Sequence, residues 1–202
     1  MSALELQPKT KKPVTMVAHP CAAPGKVHQG DCFQTDAGSL KPLLPYLRRA
    51  AVRVVWECAA GEGNLADGLK AAGFEVLSSD VQTGQNFLTW QPEREWDCIL
   101  TNPPYTQKDL FFERCYALGK PFALFVPLTC LEGLKRQALY ARHGLQVLVP
   151  PKRPVFTTPN GTVGGSYFMA AWFTWGLGFP SDLTFSGPER RSDQPALFGA
   201  LE

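Results

Sequence analysis

Positions 51–73 of this 202-residue chain have the sequence AVRVVWECAAGEGNLADGLKAAG, in which an apolar run is followed by a glycine-rich turn and an amphipathic segment. The run over 51–57 predicts a buried strand, since short Val-rich stretches are typical of parallel sheets. Gly61 and Gly63 predict a tight turn, and the apolar spacing that follows predicts a helix over 64–72. Together these segments predict one strand, turn and helix unit of an α/β sheet.

Strands and helices alternate along the rest of the chain. The other predicted strands cover 74–78, 96–101, 122–126, 145–149 and 167–175. The other predicted helices cover 40–49, 109–118 and 131–142. A long loop is expected over 150–165, which is rich in Pro, Thr and Gly. The alternation predicts an α/β fold with a mostly parallel sheet and helices on both faces.

Composition fits one globular domain, because 45% of the residues are hydrophobic and 19% are charged. We expect a loosely ordered N-terminal segment over 1–30, a folded domain over 31–179 and a polar C-terminal tail over 180–202. The net charge of +2 excludes a protein that binds nucleic acid by charge alone. No apolar stretch is long enough to span a membrane and no signal-peptide core is present, so a cytoplasmic protein without membrane contact is expected.

The six cysteines form no Cys-x-x-Cys pair, which favours a reduced protein whose thiols pack as small apolar groups. His19, Cys21, His28 and Cys32 form a possible metal quartet. Their spacing matches no standard zinc pattern, so no metal is expected.

Asn102-Pro103-Pro104-Tyr105 directly follows the strand predicted over 96–101, and open α/β sheets carry their chemistry at the carboxyl ends of strands. Asn102 offers an amide oxygen, Pro103 a carbonyl outside any strand pairing, and Tyr105 an aromatic face. These groups suit a planar ring with an exocyclic amine, which must be held by acceptors because its lone pair is delocalised. A rigid Pro-Pro turn at the end of a strand is the alternative.

Small residues separate the first strand from its helix: Cys58 and Ala59 follow Glu57 and lead into Gly61 and Gly63. Such a segment lets the backbone approach a ligand and directs free N–H groups at it. A glycine pair alone is a weak signal.

Two polar residues further along strengthen the case for a nucleoside ligand. Asp80 ends the next predicted strand, where a carboxylate can accept both hydroxyls of a ribose; its alternative is a helix cap or turn residue. Asn86 can accept a hydrogen bond from an adenine amine with Phe87 near the ring, although alone it would be a turn residue.

In order and spacing, these groups resemble the amino-methylating S-adenosylmethionine-dependent DNA methyltransferases, in particular small adenine-specific enzymes of the phage and prophage type. The resemblance covers roughly residues 30 to 176 and rests on Glu57-x-x-x-Gly61-x-Gly63, Asp80, Gly84-x-Asn86-Phe87-Leu88 and Asn102-Pro103-Pro104-Tyr105. The family often has Asp where Asn86 stands, and commonly has Pro where Asp36 follows Thr35.

The resemblance implies a Rossmann-like class I methyltransferase sheet of seven strands, with 31–179 as the catalytic domain. Full-length enzymes of this kind usually carry a separate target-recognition domain, and none is expected here because only about twenty-five residues follow the region of resemblance. It implies S-adenosylmethionine as cofactor, held by Thr35, Glu57, Cys58, Ala59, Gly61, Gly63, Asp80, Asn86, Phe87 and Asn102. It implies a catalytic set of Asn102, Pro103, Pro104 and Tyr105. It also implies that Tyr105 and Phe156 stack on the target base.

The implied activity is methyl transfer to the N6 amine of adenine in DNA, with the base flipped out of a duplex or presented in a single strand. Enzymes that methylate RNA adenine or a protein glutamine amide share this motif because all present a planar NH2 group, and they stay as alternatives. A catalytically inactive nucleic-acid-binding prophage remnant is the alternative of a different class. Cytosine N4 as acceptor, the recognised DNA sequence, the oligomeric state and a restriction partner are left open.

Overall fold

The computed structural model describes residues 34–35, 37–157, 163–165 and 168–187. Their helices and strands follow in chain order as β1 (Gln34–Thr35), α1 (Leu44–Arg49), β2 (Val54–Glu57), α2 (Asn64–Ala71), β3 (Glu75–Ser78), β4 (Cys98–Thr101), α3 (Lys108–Leu118), β5 (Phe122–Pro127), α4 (Leu134–His143), β6 (Gln146–Val149), β7 (Val155–Thr157), β8 (Val163–Gly165), β9 (Ala170–Trp175) and β10 (Leu183–Phe185). Short 3-10 helices lie at Ala37–Leu40, Val81–Thr83, Tyr105–Gln107 and Leu128–Leu131.

The main sheet has seven strands in the order β10, β6, β9, β5, β4, β2, β3. Neighbours pair in parallel except at β9, which is antiparallel to both β5 and β6. The predicted α/β class is confirmed as a mixed sheet with one reversed strand. A second, antiparallel sheet contains β1, β7 and β8.

Helices cover both faces of the main sheet, as predicted. Along β5, Phe122 and Leu124 pack on one side while Phe125 packs on the other, because successive side chains of a strand point to opposite faces. Leu69 of α2 belongs to the cluster on the Phe125 side, and Phe112 of α3 belongs to the cluster on the Phe122 side. Full burial of each such side chain contributes about 1.5–3 kcal/mol of stability. The helices on both faces of the main sheet therefore contribute to the stability of the fold.

The strand order creates a crevice between β2 and β4. From β2 the chain passes to β3 on one side and later returns to β4 on the other side. The segments after β2 and β4 therefore leave the same edge of the sheet in opposite directions. Such switch points are where ligands bind in open α/β sheets.

The first predicted helix is wrong in its start. Residues 37–40 form a 3-10 helix, and α1 begins only at Leu44, four residues after the predicted start at residue 40. Proline restricts the residue before it to extended backbone, which opposes a continuous helix through Pro42. Pro45 lies in the first turn of α1, where a missing N–H is tolerated.

Besides β1, two segments contain strands that were not predicted. The long loop over 150–165 contains β7 and β8, and the region assigned to a polar tail contains β10, which pairs with β6 through Leu183, Thr184 and Phe185. These pairings are long-range and depend on a partner strand rather than on local pattern. Among the described residues, no helix is long and apolar enough to cross a membrane.

Candidate active site

The turn after β2 is shaped by two glycines. Gly61 and Gly63 have φ angles of 53° and 90°, a left-handed region that side chains disfavour. Gly63 precedes α2 as its N-cap, and a Cβ built there would meet nothing nearer than Asp67 Oδ2 at 4.0 Å. Backbone conformation, not crowding, therefore requires glycine at 63, and the space beside it is open.

Asp80 ties this turn to the end of β3. Its Oδ2 accepts from the Gly61 N–H at 2.9 Å, and its Oδ1 accepts from the Gln82 N–H at 2.8 Å. Asp80 thus caps the 3-10 helix at Val81–Thr83, which is the turn role that the sequence left open. A carboxylate can accept about four hydrogen bonds, so both oxygens keep capacity for ribose hydroxyls.

Glu57, the last residue of β2, is fully buried. Its Oε1 accepts from the Ala59 N–H at 3.2 Å, and its Oε2 has no hydrogen-bond partner. Burial raises the pKa of this carboxyl from 4.5 to about 8, opposed by the Thr101 hydroxyl and the Ala59 N–H. With a pKa of about 8 the carboxyl carries a proton at neutral pH, so it can offer both a donor O–H and an acceptor oxygen to a polar group.

Cys58 lies beside it and is buried as well, and burial raises the pKa of its thiol. A buried neutral thiol is inert as a nucleophile. Because the Cys58 side chain is buried, only its backbone could contact a ligand in the crevice.

Asn86 and Phe87 have structural contacts in the turn after β3. The Asn86 Oδ1 accepts from the Leu88 N–H at 3.0 Å, an Asx turn. Phe87 is 2% exposed and stacks on Phe111 with ring centroids 4.6 Å apart. Its ring belongs to the core, which differs from the prediction that it lies beside an adenine.

Asn102-Pro103-Pro104-Tyr105 leaves the carboxyl end of β4 as predicted. Pro103 is buried, whereas Asn102, Pro104 and Tyr105 are half-buried. Pro104 precedes the 3-10 helix at Tyr105–Gln107, and its carbonyl accepts from the Gln107 N–H at 2.9 Å. The loop is therefore a rigid turn that leads straight into α3.

Tyr105 is held between the loop and the segment before β9. Its ring meets the Phe168 ring edge-on, with centroids 5.6 Å apart, and Lys108 Nζ donates to its carbonyl at 3.0 Å. An aromatic side chain fixed in this way can present a ring without further loss of side-chain entropy.

The two predicted site residues that are farthest apart in the chain are paired in the three-stranded sheet of β1, β7 and β8. Thr35 and Phe156 are register partners of the β1 and β7 pairing. Their side chains lie outside the described residues, as does the possible metal quartet at His19, Cys21, His28 and Cys32. No cluster of three potential metal ligands occurs among the residues that the structure describes.

A cleft of about 350 Å³ opens over the glycine turn. Its walls include Gly61, Gly63 and Asp80 from the predicted set, together with Lys70 and Gln85, which sequence reasoning missed. Asn102 does not line it, so the cleft is the outer part of the crevice on the side of β3.

Sequence reasoning also missed two buried hydroxyls that organise the site. Thr101 is fully buried at the end of β4, close enough to Glu57 to lower the pKa of its carboxyl. Ser79 accepts from Trp56 Nε1 at 2.8 Å and joins β2 to the end of β3. The sequence did offer a signal for Thr101, since it is a polar residue at the end of a predicted strand and directly precedes Asn102.

Neither a protein-family profile nor a curated protein matches the chain in sequence. A crystal structure of the type I restriction-modification system methyltransferase subunit from Streptococcus thermophilus is similar in fold, with a TM-score of 0.54 and 13% identity. The match covers 77% of this chain and 47% of the subunit, so the chain spans about half the length of that structure. The chain therefore has an α/β fold of the kind found in a methyltransferase subunit.

Proposed function

We propose that this protein transfers a methyl group from S-adenosylmethionine to the exocyclic N6 amine of adenine in DNA. The observation that carries the proposal is the position of Asn102-Pro103-Pro104-Tyr105 at the end of β4, across the switch point from the glycine turn at the end of β2. In open α/β sheets the segments on the two sides of a switch point border one ligand crevice, which supports a site shared by a planar amine and a nucleoside. The shared fold with a restriction-modification methyltransferase subunit supports the same reaction class.

The residues after β2 and β3 fit the cofactor. The open space at Gly63 admits a ligand against the backbone, and Asp80 keeps acceptor capacity for ribose hydroxyls. Glu57 would accept from the ammonium group of the cofactor, whose positive charge would favour the ionised form of this buried carboxyl. When bound, the cofactor supplies a methyl group activated by a sulfonium.

The residues after β4 would hold and orient the adenine. The Asn102 amide oxygen and the Pro103 carbonyl accept the two amine N–H bonds and favour a pyramidal nitrogen. The Asn102 oxygen is buried in this structure, so the amide must turn toward the base on binding. Tyr105 stacks on the ring of the extruded base, and Phe156 is its proposed second stacking partner.

The test is transfer of labelled methyl from S-adenosylmethionine to unmodified duplex DNA, with RNA and a translation release factor as parallel substrates. Incorporation into DNA is expected, because Asn102 and Tyr105 suit a ring amine better than a freely rotating side-chain amide and the similar fold belongs to a restriction-modification methyltransferase subunit. Label only in RNA or protein would retain the chemistry and overturn the substrate. No label in any of them would favour the inactive binding protein.

A further inference from the structure

Leu134 is the most exposed large apolar residue among those that the structure describes. It is 87% exposed at the first position of α4, directly after Gly133. Leu131, which is 42% exposed, precedes Leu134 by three residues, and Leu110, which is 47% exposed, directly follows Asp109, the ion-pair partner of Arg136. A single exposed leucine is ordinary, whereas here three exposed leucines lie in or beside the two segments that this ion pair joins.

The backbone that carries Leu134 is firmly anchored. Arg136 Nε donates to the Cys130 carbonyl at 2.9 Å, and Arg136 Nη1 donates to Asp109 Oδ1 at 2.6 Å. Tyr140 also donates to the Cys130 carbonyl, at 3.1 Å, and the Cys130 side chain is buried. Leu134 is therefore exposed on a rigid support, which is what insertion into a partner requires.

This support lies on the target side of the proposed active site. The segment between β5 and α4 leaves the same sheet edge as the loop after β4, because β4 and β5 are parallel neighbours. A chain of contacts joins them, since Arg136 binds Asp109 and the adjacent Lys108 donates to the Tyr105 carbonyl. Leu134 is thus fixed relative to Tyr105.

Charge along this edge is divided between its two halves. In the segments that follow β2 and β3, six acidic residues outnumber two cations; the acids are Glu62, Asp67, Asp80, Glu93, Glu95 and Asp97, and the cations are Lys70 and Arg94. In the segments that follow β4, β5 and β6, eight cations outnumber three acids; the cations are Lys108, Arg114, Lys120, Lys135, Arg136, Arg142, Lys152 and Arg153, and the acids are Asp109, Glu113 and Glu132. A near-neutral chain thereby presents a positive surface beside the Asn102 loop, complementary to nucleic-acid phosphates.

We propose that Leu134 is a wedge that inserts into the DNA duplex beside the target adenine, while Lys135 and the neighbouring cations contact phosphates. Apolar side chains that enter a base step unstack it and lower the cost of extruding a base. The inference rests on the proposed function and adds a residue that acts before chemistry. Leu134 is a positioning residue, since it contacts neither the cofactor nor the reacting amine.

The test compares a duplex and a single strand of the same sequence, chosen at a site that the wild-type protein methylates. Leu134→Ser is expected to lower the methylation rate on the duplex by about tenfold or more, which corresponds to loss of one buried leucine contact. The rate on the single strand is expected to stay within about twofold, because no base must be extruded and a surface substitution costs little. Leu134→Met is expected to keep the duplex rate.

Leu183→Ser is the matched control, since Leu183 is a half-exposed leucine on β10. An unchanged ratio of duplex to single-strand rates in Leu134→Ser, whether or not both rates fall, would overturn the wedge while leaving the proposed function standing. A loss of the duplex rate in Leu134→Met would also overturn the wedge. A wild-type protein that methylates RNA or protein but no DNA would remove the proposed function and the wedge together.

Discussion

Glu57 brings a carboxyl group into the interior at the end of β2, beside the switch point of the sheet. Burial raises the pKa of this group to about 8, while Thr101 and the Ala59 N–H oppose the shift. The protein retains the acid although one of its oxygens has no partner in the described structure. Such a costly group is typical of a ligand site rather than of a core position.

Glu57→Gln is expected to flatten the dependence of stability on pH. The pKa is raised on folding, so the folded state binds the proton more tightly and the free energy of unfolding falls as pH rises from 4.5 to about 8. The slope contributed by one such group approaches about 1.4 kcal/mol per pH unit. Urea unfolding across this range measures it, with Glu93→Gln at an exposed carboxyl as control. An identical slope in wild type and Glu57→Gln would contradict the assignment.

Asn102→Ala is expected to lower methyl transfer by about 10²–10³-fold, the effect of removing one preorganised polar group that acts on the transition state. Calorimetry should find binding of S-adenosylmethionine largely intact, because the glycine turn and Asp80 are unchanged. Gln91→Ala removes an exposed amide elsewhere and serves as control. Full activity in Asn102→Ala would exclude the acceptor role.

Among the elements, the turn between β2 and α2 was the most predictable, because its signals are local. The sequence predicted a helix over 64–72 and the structure has α2 at Asn64–Ala71. The roles of Asp80 and Asn86 were harder to predict, since short polar side chains can either stabilise a turn or bind a ligand. Both accept backbone N–H groups in the structure, and only Asp80 also lines the cleft.

Gly63→Ala is expected to weaken cofactor binding, with Gly73→Ala as its matched control. Both positions have φ near +90° and open space around a built Cβ, so each substitution costs about 1–2 kcal/mol of backbone strain. Thermal unfolding should therefore report similar losses in the two variants. Calorimetry should report weaker S-adenosylmethionine binding in Gly63→Ala alone. Equal affinities would place the cofactor away from this turn.

At the scale of the whole molecule, sequence predicted the class of fold but not its order of strands. The six predicted strands are present, whereas the insertion of β9 between β5 and β6 and the addition of β10 at the edge arise from pairings between distant segments. The short β1, β7 and β8 carry no pattern of their own. The resemblance pointed to Thr35 and Phe156 separately. That they are paired with each other could not be predicted, because the pairing belongs to the sheet of β1, β7 and β8.

The edge strand β10 gives a prediction about stability. A chain that ends at Gly187 keeps β10, whereas a chain that ends at Pro180 loses the bonds from Val147 N–H to Asp182 and from Ser186 N–H to Val149. The shorter chain is expected to unfold at a lower temperature, by about 2–4 °C for each kcal/mol lost. Coincident thermal transitions of the two chains would show that β10 contributes nothing to the sheet.

The most direct measurement of the proposed reaction is nucleoside mass spectrometry of DNA incubated with the purified protein and S-adenosylmethionine. We expect N6-methyladenine in DNA treated with the wild-type protein and none in DNA treated with Asn102→Ala. DNA that remains free of N6-methyladenine with the wild-type protein, across duplex and single-stranded substrates, would contradict the assignment of adenine N6 as the methyl acceptor.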